Sequence, residues 1–177
     1  MTHGLRVLID GELLAVALLG AVVAALVWGR GNGARRILWA ALAGAHLGVV
    51  AALTVVPDGA GWGLNLSPPV NLLPTRTIAA VAGGPARVYQ LLGNVALLAP
   101  AGFLLPLAVP GLRRGLRVVL VGAWLSAGIE VVQLVLTVVG TRPSRAADVD
   151  DLLLNVLGVA LGRAVLWLLA RLGAAVR

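Results

Sequence analysis

The chain has 177 residues, of which 60% are hydrophobic and 12% are charged. Soluble domains carry about 25% charged residues, so this composition predicts an integral membrane protein and excludes an ordinary soluble domain. The net charge of +7 would indicate a nucleic-acid partner in a soluble protein. In a membrane protein the same excess of arginine sets the topology, so no nucleic-acid partner is predicted. Because the chain contains no cysteine, it has neither disulfides nor thiolate chemistry.

Five apolar stretches are long enough to cross a hydrocarbon layer of about 30 Å, which takes about 20 helical residues. In chain order they are residues 13–28, 37–56, 88–109, 118–139 and 152–170. The first is the shortest, but acidic residues precede it and arginines follow it, which is the wrong polarity for a cleaved signal peptide. The sequence therefore predicts an all-α, polytopic bundle of about five transmembrane helices, with residues 1–177 forming a single membrane domain.

Arginines in the short connections predict the orientation of this bundle. One side has eight arginines and no acidic residue: Arg30, Arg35, Arg36, Arg113, Arg114, Arg117, Arg171 and Arg177. The other side mixes five arginines with six acidic residues. Since arginine accumulates in cytoplasmic loops, we expect the N-terminus outside and the C-terminus in the cytoplasm.

The connection over residues 57–87 is long for a helix bundle. It is rich in glycine and proline, yet its segment "VNLLPTRTIAAVA" is apolar. Two interpretations remain open. The segment is either a short helix at the outer interface, with Trp62 as an anchor at headgroup depth, or a plain ordered loop.

Polar side chains recur on one face of each of the last three spans, where their burial in hydrocarbon is costly. Spacings of three or four residues group them as follows: Gln90 and Asn94; Ser126, Glu130 and Gln133; Asp148, Asp151 and Asn155. At about 1.5 Å per residue, Asn155, Asn94 and Gln133 lie roughly 6–9 Å below the outer ends, and Glu130 roughly 14 Å. The sequence thus predicts one polar pocket that opens outward, beneath a rim formed by Arg142, Arg145, Asp148, Asp150 and Asp151.

Each of these residues also has a structural interpretation. Asn94 and Asn155 could join helices by hydrogen bonds, and Asp148 suits the N-cap of the last helix, with Asp150 and Asp151 complementing its dipole. A carboxylate as deep as Glu130 must be protonated, paired or metal-bound. Its candidate partners are Arg76, Arg142, Arg145 and Arg163, and Arg163 could instead extend towards the cytoplasm.

Two further features are assigned to packing, and no cofactor is predicted. Gly158 and Gly162 form a small-xxx-small pair that favours close helix contact, and His46 is expected to pack between helices rather than bind a ligand. A Mg²⁺ or Ca²⁺ site of Glu130, Asp148, Asp150 and Asp151 is conceivable from its oxygen ligands. Its spacing is not that of a calcium-binding loop, so no metal site is predicted.

Three blocks of sequence resemble the VanZ-like family of membrane proteins. They are "NLLP" at 71–74, "GNVALLAPAGFLLP" at 93–106, and "SAGIEVVQ" at 126–133 followed by "SRAADVDDLLLNVLGVALG" at 144–162. The resemblance covers about residues 40–165. Its signature positions are Ser126, Glu130, Gln133, Arg145, Asp148, Asp150, Asp151, Asn155 and Gly158. Two departures occur: Thr75 stands where the family usually has Phe, and a longer connection leaves open whether Arg142 or Arg145 is the family's arginine.

The resemblance implies a multi-pass protein of the bacterial cytoplasmic membrane, in a family whose founding member is associated with resistance to the lipoglycopeptide teicoplanin. From the residues and this resemblance we expect an envelope protein that contacts membrane lipids. It would bind a lipid-linked cell-wall precursor or a lipoglycopeptide through Asn94, Glu130, Gln133, Arg145, Asp148, Asp150, Asp151 and Asn155. The alternative is an enzyme that acts on a lipid-linked substrate, with Glu130 as general base. No Ser-His-Asp, HExxH or phosphate-loop motif supports that chemistry.

Overall fold

The computed structural model describes residues 11–28, 33–55, 65–66, 70–79, 84–139 and 147–173. Its α-helices are α1 (Gly11–Trp28), α2 (Ala34–Val55), α3 (Arg76–Ala79), α4 (Pro85–Ala108), α5 (Gly115–Val138) and α6 (Val149–Arg171). A 3₁₀ turn, Pro110–Leu112, lies between α4 and α5, and there are two two-residue strands, β1 (Val70–Asn71) and β2 (Ala147–Asp148). The predicted all-α class is therefore confirmed.

Four helices, namely α2, α4, α5 and α6, are long and apolar enough to cross a membrane. This confirms the polytopic bundle, because a helix satisfies all its backbone hydrogen bonds internally and so tolerates hydrocarbon. The first helix, α1, has 18 residues, and its apolar part, Ala15–Leu26, is shorter than the other four spans. A fifth span at α1 and the orientation of the bundle therefore stay predictions.

The outer surface of the bundle is apolar, as a surface facing lipid must be. Trp124 is 80% exposed and Leu116 is 72% exposed, which would be unfavourable in water for side chains of this size. The interior contains mostly smaller or branched side chains, including Ala40, Val118 and Val159. This distribution is the one expected of helices whose association depends on close packing rather than on the burial of large apolar side chains.

Glycines allow the helices to approach each other closely. A Cβ atom on Gly162 would overlap the carbonyl oxygen of Ala99, and one on Gly158 would overlap that of Val95, so α6 lies directly against the backbone of α4. These contacts agree with the predicted packing role of the pair. The approach of α6 to α4 brings Asn155, one turn before Gly158, near the polar part of α4.

The long connection before α4 is tied to the start of α6. Strand β1 pairs in parallel with β2, with Val70 opposite Ala147 and Asn71 opposite Asp148. The connection then forms the single helical turn of α3, so the described part contains both a short helix and ordered loop. Trp62 lies outside the described residues. The consequence of the strand pairing is that residues 71–75 lie over the N-terminus of α6.

Candidate functional site

A cavity of about 210 Å³ lies between α2, α4, α5 and α6. Its lining residues are Leu53, Thr54, Gly93, Asn94, Leu97, Ile129, Glu130, Gln133, Asp151 and Asn155. Six of these ten residues are polar or charged, although each of the four helices is apolar enough to cross a membrane. The structure thus brings together five of the eight residues predicted for the site, one from α4, two from α5 and two from α6.

Asn155 is held in one orientation by a chain of hydrogen bonds between α5 and α6. The Ser126 hydroxyl donates to the carbonyl oxygen of Leu152 at 3.3 Å, so its oxygen is free to accept from Nδ2 of Asn155 at 3.1 Å. This direction of donation orients Nδ2 of Asn155 towards Ser126, so Oδ1 of the same amide takes no part in the hydrogen bond. Oδ1 is buried and has no hydrogen-bond partner among the described residues.

Asn94 supplies the complementary group from α4. Its Nδ2 atom is buried and also lacks a hydrogen-bond partner within the described part of the chain. Gln90, one turn earlier on the same helix, is exposed and is absent from the cavity lining. A bound group that offers both an acceptor and a donor could therefore hydrogen-bond to both asparagines.

Glu130 connects the cavity to the start of α6. The side chain is 9% exposed, and its Oε2 accepts a hydrogen bond from the backbone N–H of Asp148 at 2.9 Å. Of its candidate arginine partners, Arg142 and Arg145 lie outside the described residues, and Arg76 is exposed at the start of α3. Arg163 donates to the carbonyl oxygen of Arg113 at 3.1 Å, at the other end of α6. Arg163 was predicted either to pair with Glu130 or to extend away from it, and the structure shows that it extends away.

Asp148 and Asp150 lie above the cavity rather than in its lining. Asp148 is the N-cap of α6, and its Oδ1 accepts from the backbone N–H of Asp150 at 2.9 Å. The same oxygen accepts from Nδ2 of Asn71 at 2.8 Å. Asp150 is fully buried, and its Oδ1 accepts from the backbone N–H of Thr75 at 2.6 Å. These two carboxylates therefore fasten residues 71–75 over the N-terminus of α6.

Asn71 and Thr75 are two residues above the cavity that the sequence did not identify as part of the site. Asn71 belongs to the "NLLP" block, but nothing in the block reveals a partner 77 positions away. Thr75 has a positive φ of 71°, a conformation that is unfavourable for a β-branched residue and unpredictable from its type. The hydrogen bond to Asp150 accompanies this conformation and holds the loop at a defined height above the cavity.

Two further observations concern His46 and the side chains that could act as metal ligands. His46 hydrogen-bonds the backbone at Leu97, so it packs α2 against α4, in agreement with the predicted role. Within the described ranges, no three side chains of the His, Asp and Glu types come together as metal ligands would. The polar atoms that face the cavity are thus amides, hydroxyls and carboxylates, which are suited to hydrogen bonding and to cationic or N–H donor groups.

Comparison with known proteins gives a family match over most of the chain. The sequence model of the family described as VanZ/LLP1 matches residues 43–170. This range contains the cavity, the carboxylates above it and the loop that they hold. The curated proteins and the solved structures yield no match to this chain.

Proposed function

Since the chain belongs to the VanZ/LLP1 family of membrane proteins, we propose that it is a binding protein of the bacterial cell envelope. In this proposal it lies in the cytoplasmic membrane, and the cavity between α2, α4, α5 and α6 faces outward. The cavity binds an amide-bearing group of a lipid-linked cell-wall precursor or of a lipoglycopeptide, and this binding contributes to glycopeptide resistance.

The pair of asparagines carries the proposal. Nδ2 of Asn94 is a donor and Oδ1 of Asn155 is an acceptor, and neither has a partner among the described residues. An amide has one carbonyl oxygen to accept from Asn94 and one N–H to donate to Asn155. A peptide group offers both an acceptor and a donor, whereas a hydrocarbon chain offers neither.

The size of the cavity limits what can enter it. Pockets that enclose whole drug-sized molecules are about 300–1,000 Å³, and this cavity is about 210 Å³. It therefore suits one terminal group of a larger molecule, with the remainder held at the membrane surface. Asp151 and Glu130 in the lining favour a group with N–H donors or a positive charge.

Catalysis by Glu130 is the alternative. A general base must have a lone pair directed at the proton that it removes. Oε2 of Glu130 accepts from the Asp148 amide, which holds the carboxylate to the start of α6. We favour binding because this positioning of α6 explains Glu130 without a reaction.

Binding measured on purified full-length protein in detergent tests the proposal. The probes are teicoplanin and a lipid-linked disaccharide-peptide precursor, and the variants are Asn94→Ala and its matched control Gln90→Ala. We expect Asn94→Ala to weaken binding of one probe by about fivefold or more, because it leaves a ligand acceptor without its donor. Gln90→Ala should bind as the wild type does.

Two results would overturn the proposal. One is the absence of binding of either probe to wild-type protein that shows a cooperative thermal transition. The other is equal affinity of Asn94→Ala and Gln90→Ala. Conversion of the precursor to a new product by wild-type protein, lost in Glu130→Gln, would instead favour the enzyme.

A further inference from the structure

A second cavity lies at the opposite end of the bundle, between the start of α2 and the end of α4. Its volume is about 330 Å³, and it is lined by Gly33, Arg35, Arg36, Trp39, Leu107, Pro110 and Arg113. Three of these seven residues are arginines, contributed by two segments that are more than 70 positions apart in the chain. This convergence is a property of the fold and is not required by the positive-inside rule, which demands arginines on one side but not around one cavity.

The charge at this end is unbalanced. The described carboxylate side chains, those of Glu130, Asp148, Asp150 and Asp151, belong to the part of the bundle around the N-terminus of α6. The N-terminus of α2 adds the partial positive charge of a helix dipole to the same cavity. An anion placed here would therefore meet several positive groups and none of the described carboxylates.

The arginines differ in how firmly the structure holds them. Nε of Arg36 donates to the carbonyl oxygen of Ala108 at 3.3 Å, which fixes this side chain at the C-terminus of α4. Arg35 and Arg113 have exposed side chains. Trp39, which also lines the cavity, has an indole Nε1 with no hydrogen-bond partner in the described part of the chain. One fixed guanidinium, two adaptable ones and an indole N–H are together suited to an oxyanion with several acceptor atoms.

An apolar cavity adjoins this one and shares two of its residues, Leu107 and Arg113. Its volume is about 440 Å³, and its other lining residues are Pro106, Arg163, Leu166, Trp167 and Ala170. Five of its seven residues are apolar, so it would accept a hydrocarbon chain that leaves the charged cavity beside Arg113. A free phosphate ion would use the first cavity only, whereas a phospholipid would use both.

We propose that this pair of cavities binds an anionic phospholipid, with the phosphate at Arg35, Arg36 and Arg113 and an acyl chain along Pro106, Leu166 and Trp167. The lipid belongs to the leaflet opposite to the polar cavity, which is the cytoplasmic leaflet in the predicted orientation. Basic pockets between membrane helices on the cytoplasmic side are known to select anionic headgroups. The site is separate from the asparagine cavity and does not depend on the function proposed for it.

Neighbouring arginines provide a matched test. Arg113 lines both cavities, whereas Arg114 lines neither, so Arg113→Gln and Arg114→Gln remove the same charge one position apart. Full-length protein in detergent is titrated with phosphatidylglycerol, with phosphatidylcholine and with inorganic phosphate, and bound species are counted by native mass spectrometry. We expect selective binding of phosphatidylglycerol, about tenfold weaker in Arg113→Gln and changed less than twofold in Arg114→Gln.

Three outcomes would overturn the proposal. Equal loss of phosphatidylglycerol in the two variants would mean general attraction by net charge. Equal binding of phosphatidylcholine would mean that the arginines do not select the headgroup. Displacement of the lipid by millimolar inorganic phosphate would identify the free ion as the ligand. Asn94→Ala should bind phosphatidylglycerol normally, so failure of this proposal and failure of the asparagine cavity are distinguishable.

Discussion

Replacement of Asp148 by alanine should loosen the junction between α6 and the loop above the cavity. Oδ1 of Asp148 accepts two hydrogen bonds, from the backbone N–H of Asp150 at 2.9 Å and from Nδ2 of Asn71 at 2.8 Å. Loss of an N-cap costs about 1 kcal/mol, and loss of a buried hydrogen bond costs about 1–3 kcal/mol when its donor stays buried. Since Asp148 is only 7% exposed, the free energy of unfolding should fall by about 2–4 kcal/mol.

Reversible unfolding by SDS in mixed micelles, followed by tryptophan fluorescence, measures this change. Asp148→Asn is the control, because its amide oxygen can still accept both hydrogen bonds while the charge is removed. It should cost about 0.3–1 kcal/mol, the value of a carboxylate at a helix N-terminus. If the free energy of unfolding of Asp148→Ala lies within about 0.5 kcal/mol of the wild-type value, which is roughly half the cost of losing one N-cap, the carboxylate does not hold the loop. If the two variants are equally destabilised, charge rather than hydrogen bonding explains the effect.

Two further predictions concern helix packing and topology. Gly162→Leu should destabilise the bundle by about 1–3 kcal/mol or more, since its Cβ would overlap the carbonyl oxygen of Ala99. Its control, Gly128→Ala, meets open space and should be neutral or stabilising by about 0.5–1 kcal/mol in the same unfolding assay; equal effects would refute the close approach of α6 to α4. A membrane-impermeant thiol reagent added outside whole cells should label a cysteine placed at Ser144 but not one placed at Gly115, and the reverse labelling pattern would invert the orientation.

The spans could be predicted because hydrocarbon imposes a length and an apolar composition on every helix that crosses it. The predicted stretches 88–109 and 118–139 begin or end within three residues of α4 and α5. α1 was the weaker prediction for the same reason, since its apolar part, Ala15–Leu26, is short for a span. The spans could thus be predicted wherever an apolar stretch was at least as long as the hydrocarbon layer requires.

The convergence of several polar side chains could be predicted from their depth along the helices. A regular rise per residue places Asn94, Gln133 and Asn155 at similar depths on three helices. In a small bundle, side chains at the same depth that face the interior lie close together. The structure brings these three residues, with Glu130 and Asp151, to one cavity. Depth does not reveal direction, however, so the sequence did not distinguish Asp151, which lines the cavity, from Asp150, which points to the loop.

The contacts above the cavity could not be predicted, because they join segments that are distant in the chain. Asn71 meets Asp148 through a two-residue parallel strand pair, and so short a strand has no periodicity that a sequence reveals. Oε2 of Glu130 accepts from the backbone N–H of Asp148, whereas the candidate arginines Arg142 and Arg145 lie outside the described residues. A backbone donor is present at every residue except proline, so the sequence cannot indicate which one a buried carboxylate will use.

The acidic segment at the start of α6 is divided between two tasks, and the division follows from helical geometry. Asp148 and Asp150 turn towards the loop and hold residues 71–75, whereas Asp151 turns with Asn155, four residues later, towards the cavity. Glu130 accepts from the Asp148 backbone and also lines the cavity, so this residue contacts both the start of α6 and the cavity. A group bound between Asn94 and Asn155, as proposed, would therefore lie beside a carboxylate that is hydrogen-bonded to the backbone of Asp148, the residue whose side chain holds Asn71.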